Sequence, residues 1–252
     1  MLRTEIDVVI PVANKDICKL DLCLTGLKIN IQHNIKNIYI ISKPFPELLD
    51  ICLKHKCIFI DETSYLGFSK SDLNTIREDK HGWLLQQLIK LNGNPGNCEN
   101  YLVLDSDVVL LKPYVYLTSL NQFVFVIQKT NTHLSYKEMN FKLTGFNKKV
   151  DYNFVDDKML FNVNIINNIH KRIQEHTGLN WIEAIISKWD NSVEYCFSEF
   201  ELYWLFCQDL DVVLIEKVNQ IIKFNSKFTY NSLKTLYPTS DCITMHHWME
   251  NT

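Results

Sequence analysis

The 252-residue chain has no apolar run approaching the roughly 18 residues that cross a bilayer, so no transmembrane segment is expected. It also lacks a basic excess: 26 Lys and Arg stand against 29 Asp and Glu, a net charge of -3 with no basic run. That removes the electrostatic reason to expect nucleic acid as a partner. Metal-ligand spacing is missing from its eight cysteines, since Cys18/Cys23 and Cys52/Cys57 are each separated by four intervening residues and the others are scattered. Their expected role is core filling in a reducing compartment. The amino terminus passes into a strand-like run almost at once, without the charged and apolar segments of a leader. These absences favour a soluble cytoplasmic protein, with peripheral membrane contact left open. Repeats, low-complexity tracts and linkers are absent too, and 46% hydrophobic content over this length suits one large domain, 1–252, rather than two.

What the chain does contain is an alternation of short apolar runs and amphipathic stretches. Strands are expected at 6–12, 37–42 and 57–61, with helices at about 14–30 and 47–55 between them. Such an order argues for a parallel sheet wound as in dinucleotide-binding folds. The polar sequence 62–80 reads as a loop able to fold over a ligand, and 81–91 as a helix leading through the 92–97 turn. Another strand is expected within 121–128, followed by polar sequence to 157 with few helix signals. From Asp157 onward, Met159, Leu160, Val163, Ile166, Ile169 and Ile173 recur at helix-like spacing. Helices at 181–189 and from Ser198, and a strand at 211–215, complete the reading.

The most specific feature is the apolar run 101–111, interrupted by Asp105 and Asp107. A strand interior rarely leaves two carboxylates unpaired, so the run predicts a strand whose end delivers both into a cleft. Hard oxygen ligands placed this way suit Mg²⁺ or Mn²⁺, and such a metal usually accompanies a phosphate.

With its Asp-x-Asp after an apolar strand, its opening strand Ile6-Asp7-Val8-Val9-Ile10-Pro11-Val12 and the stretch Gly82-Trp83-Leu84-Leu85-Gln86-Gln87-Leu88 ahead of the acidic run, the chain resembles the nucleotide-sugar-dependent glycosyltransferases of the GT-A fold. The resemblance covers the first half well and the second loosely. It implies a single-domain α/β, GT-A-like (Rossmann-like) fold with a mixed, mainly parallel sheet flanked by helices. Residues 1–112 would form the nucleotide-sugar-binding half, and 113–252 an acceptor-binding half with a carboxy-terminal metal-site tail. The implied activity is transfer of a sugar from a nucleotide-diphosphate donor to a carbohydrate hydroxyl, with inversion preferred.

By the same resemblance Asp107 is the direct metal ligand, while Asp105 contacts the ribose or reaches the metal through water. Ser106 is counted with the donor-binding set. One of His246 and His247 would complete the coordination, as imidazole suits Mn²⁺ better than Mg²⁺; the alternative is a histidine pair on a solvated tail. Pro11, Val12 and Asp16 are expected to meet the base and ribose, with Lys15 or Lys43 facing phosphate, because ligands lie at the carboxyl ends of parallel strands in such sheets. Surface charge is the alternative for both lysines. By analogy the Gln87 side of its helix faces the donor.

Glu199 and Glu201 compete for the role of base. Ser198-x-x-Glu201 reads as a capping box that employs Glu201 and leaves Glu199 free to take the acceptor hydroxyl's proton. A favourable charge near the helix dipole is the bland reading of Glu199. Asp156-Asp157 reads as a helix cap, with Asp157 an alternative base. Two rivals of other classes remain: a haloacid-dehalogenase-like phosphatase, whose Asp-x-Asp normally stands near the amino terminus, and a non-catalytic sugar-nucleotide or glycan-binding module.

Overall fold

A computed structural model of the chain describes residues 4–246. The first half runs β1 (Glu5–Pro11), α1 (Ile17–Asn30), β2 (Asn34–Ser42), α2 (Pro46–His55), β3 (Ile58–Asp61), α3 (Glu62–Leu66), α4 (Glu78–Leu91), β4 (Asn100–Leu104) and β5 (Val108–Leu110). The second half adds β6 (Phe123–Val126), α5 (Leu134–Thr144), β7 (Lys158–Asn162), α6 (Val163–Thr177), α7 (Trp181–Lys188), α8 (Glu199–Cys207), β8 (Val212–Ile215), β9 (Asn219–Lys223), α9 (Tyr230–Leu236) and β10 (Cys242–His246).

Five strands form the central sheet in the order β3-β2-β1-β4-β7, all parallel except β7, which runs antiparallel to β4. All of β4, and all of β1 after its first residue, is buried, because helices cover both faces of the sheet. Successive residues alternate between the two layers. Val9, Tyr101, Val103 and Phe161 pack with Leu84, Leu88, Ile166 and Ile169 from α4 and α6, while Ile6, Val8, Ile10 and Leu102 pack with Leu20, Leu24 and Leu27 of α1 and Leu48 of α2. Each such side chain contributes about 1.5–3 kcal/mol by leaving water. A second sheet has the order β5-β10-β9, and a third pairs β6 with β8.

The run 101–111 is not one strand. Its first part, β4, belongs to the central sheet, whereas β5 turns away to pair antiparallel with β10. Asp105, Ser106 and Asp107 form the break. The Val108 N–H donates to the Asp105 carbonyl at 3.3 Å, and the Asp105 N–H donates to the Asp157 carbonyl at 2.8 Å. Gly26 makes the change of sheet possible, because a Cβ there would stand 2.8 Å from the Leu110 carbonyl oxygen and hold α1 off β5.

Three further expectations are corrected. Met159 and Leu160 lie in β7, every residue of which is buried; the helix begins only at Val163, capped by the Asn162 side chain, which accepts from Asn164 N–H and Ile165 N–H. The helical spacing therefore holds for Val163, Ile166, Ile169 and Ile173 but not for the adjacent pair before them. Within 62–80, α3 forms where a loop was expected, because Asp61 caps it by accepting the Ser64 N–H at 2.9 Å and Gly67, at φ 75°, ends it. Polar 129–157 contains α5, whose buried face is carried by Tyr136, Met139 and Leu143. β9 and α9 had no expectation attached to them. The two halves of the chain share both main sheets, since β7 closes the central sheet and β10 pairs with β5. Among the described residues no helix is long and apolar enough to cross a membrane. All eight cysteines are free and six are buried, in keeping with core filling.

Candidate active site

Parallel strands β1, β2 and β4 end on the same side of the central sheet, and a cleft of about 650 Å³ opens there. Pro11 ends β1, and Val12, Lys15 and Asp16 follow it into the cleft wall, as Lys43 follows β2. Gln87 enters from α4, Asp105, Ser106 and Asp107 from the break after β4, Asp157 from the approach to β7, Glu199 from the start of α8 and His246 from the end of β10. Of the described residues given a donor, metal or base role from the sequence, all but Glu201 line one cavity. His247 lies outside the described residues.

Lys90 organises the centre of this wall. Its ammonium donates to Glu199 Oε1 at 2.7 Å and lies 2.7 Å from Asp105 Oδ1, with the Phe200 ring centroid 4.6 Å away. Burial works against that charge, yet the two carboxylates outweigh it and hold the ammonium above its ordinary pKa. Gln86 Nε2 donates to the same Asp105 oxygen at 2.8 Å. Burial, with repulsion from Asp157 and Asp107, pushes Asp105 up to about 8 against the pull of Lys90. Gln87 is buried on the cleft wall, and its Oε1 has no partner among the described residues.

Asp107 presents Oδ2 to His246 Nδ1 across 3.7 Å. Burial and the neighbouring Asp16 and Asp157 carboxylates raise Asp107 to about 6, against the pull of Lys19. Burial lowers His246, favouring the neutral imidazole that can bind a metal. Among the described residues no three His, Cys, Asp or Glu side chains already converge into a metal site. Asp107 and His246 nonetheless fit a divalent cation of the Mn²⁺ or Mg²⁺ kind: one hard carboxylate and one imidazole face each other in a cavity whose carboxylates repel, and a bound diphosphate would add oxygens.

The capping reading of Glu201 is corrected. Ser198 does accept the Glu201 N–H, at 3.4 Å, but the Glu201 carboxylate turns inward, accepting from Phe154 N–H at 2.8 Å and Lys148 Nζ at 2.5 Å. Glu199 is not free either, since Lys90 holds Oε1; among the described residues no donor reaches Oε2. Asp156 and Asp157 cap no helix. Asp156 accepts from the buried Lys158 Nζ at 2.8 Å, and Asp157 Oδ2 accepts from Thr244 Oγ1 at 2.5 Å and Asn219 Nδ2 at 3.0 Å, tying the motif to β10 and β9.

Sequence reasoning placed Gln86 and Lys90 on the right helix without seeing their task. The signal was available: a lysine between Ile89 and Leu91, four residues after Gln86, shares a helix face with it inside an otherwise apolar segment. Glu62 and Lys70 were absorbed into an expected loop, yet both line the cleft. Trp181, Trp189, Tyr203 and Trp204 are buried packing residues, with Trp204 stacked on Phe154 at 3.8 Å and Tyr203 on Phe161 at 4.2 Å.

Among solved structures, an active-site mutant of LgtC superimposes with a TM-score of 0.56 at 15% identity, covering 95% of this chain and 87% of that one. The bifunctional glycosyltransferase WbbM superimposes at 0.51 with 12% identity, over 96% of this chain and 45% of that one. At these identities the likeness is one of fold, and the fold is GT-A-like: a mixed, mainly parallel sheet flanked by helices. No curated protein matches the chain in sequence. One family profile matches residues 3–234, nearly the whole length, and the chain belongs to that family, DUF6492, a family of unknown function.

Proposed function

We propose that the chain is a divalent-cation-dependent glycosyltransferase that moves a sugar from a nucleoside-diphosphate donor to a carbohydrate hydroxyl, with inversion. One observation carries the reading: residues from seven separate segments, chosen for donor, metal and base roles, line a single cleft at the carboxyl ends of β1, β2 and β4 in a GT-A-like fold. In this reading Pro11, Val12 and Asp16 meet the base and ribose, Lys15 and Lys43 face phosphate, and Gln87 and Ser106 border the donor. Asp105, pinned by Lys90 and Gln86, contacts the ribose. Asp107 and His246 would hold the cation, which supplies charge neutralisation for the departing diphosphate. Glu199, steadied through Oε1 by Lys90, takes the acceptor proton on Oε2. Asp157 is the second candidate for that role. Residues 1–112 serve chiefly the donor and the later half the acceptor.

A screen of nucleoside-diphosphate sugars with Mn²⁺ or Mg²⁺, read by release of the nucleoside diphosphate, tests the proposal. Turnover with one donor, lost on chelation and in Asp107→Ala while the variant stays folded, is the expected result. Release of inorganic phosphate from a phosphomonoester would favour the phosphatase, and donor binding without turnover the binding module. Full activity in chelator would remove the cation, and a product of retained anomeric configuration would remove the base.

A further inference from the structure

Lys19 in α1 is completely buried, although nothing in the proposed chemistry uses it. An ammonium leaves water only for close partners. Here they are Asp16 Oδ1, to which it donates at 2.9 Å, and the Met245 carbonyl, at 2.6 Å. Both belong to the site: Asp16 is on the cleft wall after β1, and Met245 immediately precedes His246. The Met245 peptide is held from its other side as well, its N–H donating to the Asp107 carbonyl at 3.0 Å. The end of β10 is thereby pinned to the acidic motif on one side and to the loop after β1 on the other.

We infer that Lys19 is a positioning residue that fixes the end of β10 so that His246 faces Asp107, coupling the nucleotide side of the cleft to the proposed metal pair. The inference rests on the metal reading above. The imidazole stands at the end of a strand, where pairing with β9 sets its register but leaves its approach to Asp107 to the local anchor. Removing that anchor frees the Met245 carbonyl and leaves the repulsion between the Asp16 and Asp107 carboxylates without Lys19 to offset it. A hydrogen bond that merely fastens α1 to β10 would affect stability alone; a positioning residue affects metal affinity beyond any loss of stability.

The test is an EPR titration of Mn²⁺ against the purified chain in the presence of a saturating nucleoside diphosphate such as UDP, with Tm measured in parallel. Lys19→Met should weaken Mn²⁺ binding by about 10–100-fold, the usual effect of removing a partner behind the ligands. Ile173→Ala, a core truncation in α6, should lower Tm while leaving Mn²⁺ affinity as in wild type. Lys19→Gln, which keeps a donor for the Met245 carbonyl but no charge for Asp16, should fall between Lys19→Met and wild type, and it decides the matter should Lys19→Met not fold. Unchanged Mn²⁺ affinity in a folded Lys19 variant, or equal loss in Ile173→Ala, overturns the inference while the metal reading stands. Failure of the wild type to bind Mn²⁺ with the nucleoside diphosphate present overturns both.

Discussion

Replacing Lys90 with methionine keeps most of the side chain's volume and removes the charge between two carboxylates. In the native arrangement the ammonium lies 2.7 Å from both Asp105 and Glu199, with side-chain exposures of 3%, 19% and 3% respectively. Losing one partner of a buried ion pair typically costs about 3–5 kcal/mol, because the other charge stays behind without compensation. Asp105 can relieve its share by binding a proton or by meeting cleft water, as its pKa near 8 and greater exposure indicate. The uncompensated charge is therefore chiefly that of Glu199, and the lower end of the range, about 3 kcal/mol, is expected. Urea unfolding at pH 7 should show this as a lower midpoint at unchanged m-value. Adding Glu199→Gln removes the stranded charge and should recover roughly 1–2 kcal/mol, within the range of coupling energies for residues in direct contact. A loss below about 1 kcal/mol in Lys90→Met would refute the reasoning, and so would a double variant no more stable than the single one.

The two glutamates of α8 should separate function from stability. Glu199→Gln should lower sugar transfer by about 10²–10⁴-fold while donor affinity persists; a fully active variant would move the base to Asp157 or elsewhere. Glu201→Gln loses its ion pair with Lys148 in a site where its own side chain has 0% exposure, so a stability loss of roughly 2–4 kcal/mol is expected, with transfer per folded molecule preserved. A change in Tm below about a degree would contradict the buried ion-pair assignment. His170 stacks on Trp181 at 4.4 Å, and burial lowers its pKa to about 4 although its Nε2 meets the Leu91 carbonyl. A histidine depressed in the folded state leaves stability complete above its ordinary value near 6.5 and drains it as pH falls towards 4, here by roughly 2–3 kcal/mol. Urea midpoints from pH 7 to 4 should fall less steeply in His170→Gln than in wild type, and parallel curves would exclude His170 as the cause.

The alternation of strands and helices in the first half was legible because each element there is written in its own sequence period. Val8 to Ile10 is continuously apolar since both sheet faces are covered, and Glu47 in the first turn with Lys54 and His55 in the last marks the helix between β2 and β3. Chemistry was legible where a residue type is costly in its local context, as with Asp105 and Asp107 inside an apolar run. The sequence by itself therefore determined the alternation of elements in the first half and the carboxylates that interrupt the apolar run 101–111. Whether 101–111 was one strand or two depended on a partner at 242–244, and whether Met159 belonged to a helix or a strand depended on the free edge of β4. No local pattern encodes a pairing partner that distant. Polar partnerships were hidden for the same reason: Lys90 and Glu199 are separated by 109 residues, Lys19 and Met245 by 226. A charge becomes a buried tie only when the fold closes water out around it, so what Glu201, Lys90 and Lys19 do was decided by the tertiary structure alone.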